Sequence, residues 1–167
     1  MENRLYLRQV KARAAGHGQP WQMAQNLLAG TLLVALTVLI HTGGLLALAR
    51  LTPPLARSLG FHNHDLGRSL VMTGSVLGLF MLHTIEVWLW AGAYLGLDAV
   101  SNFPDALNLS TAMFSTLGYD GSEALSPDWR LLSALEGING FLLIGWSTAY
   151  LIGAATRHGP FDRTRHF

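Results

Sequence analysis

Residues 104–121 read Pro-Asp-Ala-Leu-Asn-Leu-Ser-Thr-Ala-Met-Phe-Ser-Thr-Leu-Gly-Tyr-Asp-Gly, and this stretch decides the fold. Pro104 stands at a helix start and good helix formers follow to Phe114, which predicts about three turns. At 1.5 Å per residue that helix is ~17 Å long, about half the depth of a bilayer. A short helix and a glycine-containing coil, set between two longer apolar segments, have the form of a re-entrant loop.

The flanking sequence supports that placement. Apolar blocks at 26–49, 69–97 and 129–154 each reach the ~20 residues a helix needs to cross about 30 Å of hydrocarbon. Half of the 167 residues are apolar and only 13% are charged, against roughly a quarter in soluble domains. The expected fold is therefore an all-α membrane protein with three transmembrane helices and one re-entrant helix between the second and third. Residues 1–25 form a basic interfacial segment, 50–68 a loop, 98–128 the re-entrant helix and its coil, and 155–167 a short basic tail. A single domain in contact with membrane lipid accounts for all of it.

The net charge of +1 conceals an uneven distribution. Residues 98–128 carry Asp98, Asp105, Asp120, Glu123 and Asp128 with no Lys or Arg. Arg50, Arg57 and Arg68 lie in the first loop and Arg157, Arg163 and Arg165 in the tail, so the positive-inside rule puts both inside and the acidic loop outside. Three spans then carry Arg4, Arg8, Lys11 and Arg13 to the outer side, against the rule. This asymmetry speaks of topology and not of nucleic-acid binding. The absence of cysteine excludes disulfides, thiolate metal sites and cysteine nucleophiles. The first apolar run is longer than a signal peptide's, so no cleavage is expected near Ala47-Leu48-Ala49.

The segment Thr111–Gly121 resembles the pore of the two-transmembrane potassium-channel superfamily, whose filter reads Thr-Val/Leu-Gly-Tyr-Gly-Asp. The likeness continues through Trp129–Leu132 and Ile138–Ala149, similar to the inner helix of short bacterial channels, and Trp88, Trp90 and Tyr94 fit the same group. The resemblance implies a selectivity filter at Thr116, Leu117, Gly118, Tyr119, Asp120 and Gly121. Backbone carbonyls would replace the ion's water shell there, with cations held around Thr116, Gly118 and Asp120. It also implies a homo-oligomer arranged as a symmetric ring, a tetramer in the family, and a bacterial inner membrane. Asp120 stands where the family has its second glycine, so a ring of carboxylates could replace the outer carbonyl ring. That leaves K+ open against Ca2+ or a non-selective path that includes Na+, and leaves other ring sizes open.

Several polar residues lie within the spans. His83 and Glu86 share a helix face and form an intramembrane polar cluster with His41, either as a clasp between helices or as a proton sensor. Glu136, with Asn139 beside it, is placed to brace the filter loop through backbone amides. Gly140, Gly145, Ser147 and Thr148 are candidates for a cavity lining or gate, with close packing the alternative. Gly74/Gly78 and Gly92/Gly96 are GxxxG pairs suited to packing, and His62-Asn63-His64-Asp65 reads as a solvated loop. The residues imply no cofactor beyond permeant ions. No nucleophile–base pair or phosphate loop is present, so an enzyme is not expected. The competing class is a membrane enzyme or assembly subunit holding metal at His41, His83 and Glu86. With no Arg-rich helix and a short tail, neither a voltage sensor nor a ligand-gating domain is expected.

Overall fold

A computed structural model describes residues 20–58, 65–118 and 124–158. The side chains of Tyr119, Asp120, Gly121, His62, Asn63, His64 and Asp65, the N-terminal Arg/Lys cluster and the tail arginines fall outside what is described.

The described residues form four α-helices and one 3₁₀ turn, with no strand among them: α1 (Pro20–Ser58), α2 (Asp65–Gly96), α3 (Phe103–Phe114), the turn Pro127–Trp129, and α4 (Arg130–His158). Three of these helices, α1, α2 and α4, are long and apolar enough to cross a membrane. The remaining one, α3, is a short helix between α2 and α4. The described residues thus form an all-α architecture in which three helices are long and apolar enough to span a membrane.

The helix α1 is longer at both ends than the span expected at 26–49. It begins at Pro20, where proline at the first helical position loses no bond, so residues 20–25 are helical. It also continues through Pro53 and Pro54 to Ser58, where a loop had been expected. Prolines there remove donors only near the end of a span, where water can serve the freed carbonyls, so the helix need not stop. The start of α1 is pinned to the start of α4. Asn26 Nδ2 donates to the Asp128 carbonyl at 2.7 Å, and its Oδ1 accepts from the Leu132 amide at 3.0 Å. This brings the N-terminal end of α1 to the same end of the bundle as the acidic loop, the arrangement three spans require.

The core lies beneath the re-entrant helix. Trp90, Ala91 and Tyr94 of α2, Ala106 and Leu109 of α3, and Leu132 of α4 pack with Ala99, Val100 and Leu125 from the connecting segments. Trp90 Nε1 donates to Thr37 Oγ1 at 3.1 Å, fastening α1 to the same cluster. A second, smaller cluster of Leu45, Leu79 and Leu82 joins α1 and α2 nearer the other end. In the Gly74/Gly78 pair only Gly78 makes a close approach, where an added Cβ would stand 2.5 Å from Leu48; nothing lies near Gly74, Gly92 or Gly96.

Candidate functional site

The short helix α3 has a defined start and a defined stop. Asn102 caps it, its Oδ1 accepting from the Asp105 amide at 3.0 Å while its Nδ2 donates to Asp105 Oδ2 at 2.7 Å. This reciprocal bonding serves amides the first turn leaves free. At the other end the Ser115 amide donates to Thr111 O and the Thr116 amide to Met113 O, at 3.1 and 3.0 Å. The chain then changes hand. Thr116 has φ 62° and Gly118 φ 75°, two left-handed residues separated by Leu117. Glycine adopts that conformation freely, whereas a β-branched threonine does so against its preference.

Alternation of backbone hand is what a carbonyl-lined strand requires, because it turns successive C=O groups toward one side. Here it begins directly at the C-terminal end of α3, whose partial negative charge favours cations. Thr116, Leu117 and Gly118 are all exposed, Leu117 at 83%. The groove beside the strand is lined by Met113, Thr116, Gly118, Ala134, Gly137 and Phe141. One chain therefore presents the strand on an open face and encloses nothing with it.

Behind the strand, α4 runs hard against the end of α3. A Cβ built on Gly140 would lie 2.2 Å from the Phe114 carbonyl oxygen, so glycine is required there for contact. Gly140 is thus a close-packing residue. One turn earlier, Glu136 is fully buried and accepts from Tyr94 Oη and Ser110 Oγ, both at 2.5 Å. Ser110 Oγ also lies 2.9 Å from the Val87 carbonyl. Glu136 holds α2, α3 and α4 together through the side-chain hydroxyls of Tyr94 and Ser110. Asn139 is buried beside it, and its Nδ2 has no partner among the described residues.

Sequence reasoning passed over Ser110 and used Tyr94 only as part of a resemblance. The available signal was Ser110's place on the buried stripe Ala106, Leu109, Ser110 and Phe114, where a polar group needs a partner.

The intramembrane cluster is assembled as expected and acquires a fourth member. His41 Nδ1 and His83 Nδ1 donate to Glu86 Oε1 and Oε2, each at 2.8 Å. Ser147 Oγ stands 3.0 Å from His83 Nε2 and 3.4 Å from His41 Nε2. Ser147 is therefore buried against α1 and α2. Of the four positions weighed as cavity or gate, only Gly145 and Thr148 lie on the exposed face of α4. The cluster also touches the C-terminal end of α3, because the His83 ring packs on Phe114 with centroids 5.4 Å apart.

A family model described as "Ion channel" matches residues 80–157. That stretch takes in the second half of α2, all of α3, the strand at 116–118 and nearly all of α4, while α1 lies outside it. The match supports an ion-channel subunit within a multi-pass membrane protein and favours a transporter over an enzyme. The comparisons with curated proteins and with solved structures return no match.

Proposed function

We propose that the chain is one subunit of a potassium-channel-like cation channel, a symmetric homo-oligomer in which residues 116–121 from each copy surround the pathway. The observation that carries this reading is the alternation of left-handed backbone at Thr116 and Gly118, starting at the C-terminus of a capped half-membrane helix. The exposure of that strand, together with the exposed apolar side chains of Ile138, Phe141 and Leu142 on the adjoining face of α4, calls for further copies around it. A tetramer in the bacterial inner membrane is the arrangement that the resemblance of Thr111–Gly121 suggests. Thr116, Leu117 and Gly118 supply carbonyls to the ion, Gly145 and Thr148 face the pathway below, and Glu136 with Tyr94 and Ser110 holds the loop at its depth.

Potassium is the permeant ion on this reading, and Asp120 is the residue that could widen selectivity. Bi-ionic reversal potentials in planar bilayers decide the point. A large shift when sodium replaces potassium is expected. Equal permeability, or a reversal set by calcium, would replace potassium selectivity with an Asp120 carboxylate ring, and an absence of cation current would refute the channel.

A further inference from the structure

The four-residue cluster joining α1, α2 and α4 has a feature that a simple helix clasp does not require. One histidine would suffice to pair Glu86 between helices, yet two imidazoles converge on the same carboxylate. His41 and Glu86 are fully buried, and the His83 side chain is 20% exposed. Three donor atoms, one each from His41, His83 and Glu86, lie within 4.8 Å of one another. The hydrogen count is also short by one. Two neutral imidazoles and one hydroxyl carry three protons, whereas four contacts converge: two Nδ1 to Glu86 and two Nε2 to Ser147. Ser147 can donate to only one Nε2, and the longer contact, 3.4 Å to His41, falls at a buried atom.

A cation in the corner between the two Nδ1 atoms and the carboxylate removes that shortfall. Each imidazole then carries its proton on Nε2 and gives its Nδ1 lone pair to the ion, so no proton is gained or lost. Both Nε2–H groups donate to Ser147 Oγ, whose two lone pairs accept them. An outer oxygen that fixes the tautomer and aims the ring is the usual companion of a metal-bound histidine. The carboxylate meets part of the ion's charge, which in a span would otherwise stand uncompensated.

We infer that His41, His83 and Glu86 form a binding site for a borderline-soft divalent transition ion of the zinc class, with Ser147 as its outer partner. Two imidazole nitrogens and one carboxylate suit zinc, whereas calcium and magnesium take six or more oxygens. The donors are drawn together slightly more than the ion needs: the Nδ1–O separations are 2.8 Å. Tetrahedral ligands at about 2.0–2.1 Å stand roughly 3.3 Å apart, so entry asks for an opening of about half an ångström. Because His83 packs on Phe114, the site adjoins the end of the re-entrant helix, but it does not depend on the conduction reading.

The test uses the full chain in detergent, stripped with chelator, equilibrated with cobalt(II) or zinc chloride, and desalted. Metal per chain is measured, along with the visible absorption of the cobalt form. Wild type and a His62→Asn/His64→Asn variant are expected to retain one ion per chain, with the intense visible bands of four-coordinate cobalt. His41→Gln and His83→Gln should weaken binding by about tenfold or more while keeping wild-type helical circular dichroism. Ser147→Ala leaves all three donors in place and should weaken affinity by about 10–100-fold without abolishing it, which covers the case in which a histidine variant misfolds. The inference is overturned if folded wild type retains no metal. It is equally overturned if cobalt absorption is undiminished in His83→Gln and Ser147→Ala, or if it is lost with His62 and His64 instead.

Discussion

Gly140 is where the account can be tested with a single methyl group. An alanine Cβ at this position would stand 2.2 Å from the Phe114 carbonyl oxygen and 2.8 Å from Phe114 C and Cα, whereas real Cβ contacts essentially never fall under 3.0 Å. The gap from 2.2 to 3.0 Å means a displacement of at least 0.8 Å. The obstacle is backbone, which cannot swing aside as a side-chain end can. Overpacking of this kind costs about 1–3 kcal/mol. Since Phe114 is two residues from Thr116, most of the displacement is passed to the start of the filter strand. Gly145 provides the control, because nothing lies within 4 Å of an added Cβ and helix propensity favours alanine there by about 0.5–1 kcal/mol. Reconstituted vesicles loaded with potassium and assayed for flux, alongside thermal melting of the purified oligomer, give the comparison. Gly140→Ala should melt several degrees lower and lose most of its flux per assembled particle, and Gly145→Ala should melt at or above wild type. Equal stability in the two variants would refute the close packing of α4 on α3.

Replacing Glu136 with Gln should preserve assembly but change conductance or selectivity, since the new amide turns a donor toward Tyr94 and Ser110; unchanged single-channel currents would remove the brace. Tyr94→Phe should destabilise the folded chain by about 1–3 kcal/mol, the cost of leaving a buried oxygen of Glu136 without its partner, read as a lower melting temperature with circular dichroism unaltered beforehand. At Gly118, φ is 75° and space is open, so Ala should cost about 1–2 kcal/mol through backbone strain alone and abolish flux with helical content intact, while Thr116→Gly should leave flux close to wild type. Asn26→Leu should lower stability by about 1–3 kcal/mol by orphaning the Leu132 amide, and a melting temperature equal to wild type would show that α1 is not pinned there.

The parts of this fold that were legible in the sequence are those fixed by local chemistry. Pro104 and the helix formers after it mark α3 within one residue of its observed bounds, and span length alone identifies α1, α2 and α4. The end of α1 was not legible, because Pro53 and Pro54 stop a helix in a soluble core but not at the end of a span, where their missing bonds are cheap to replace. His83 and Glu86 are three residues apart and disclose their shared face, whereas the contribution of Ser147 depends on how α4 is rotated against α1 and α2. The same holds for Gly140 and Gly145, identical in the sequence and opposite in environment. Glu136 was conspicuous as a buried acid, but its partners lie 42 and 26 residues away, beyond any spacing rule.

The central claim is that the strand after α3 from several copies surrounds one ion pathway. Imaging the detergent-solubilised particle in potassium addresses it most directly, because symmetry and ion positions are read from the same map. The account predicts a closed ring, fourfold by resemblance, with residues 116–118 of every copy facing the axis and cation density at their carbonyls. A monomer, or a ring whose axis is lined by other residues and carries no ion density beside 116–118, would contradict it.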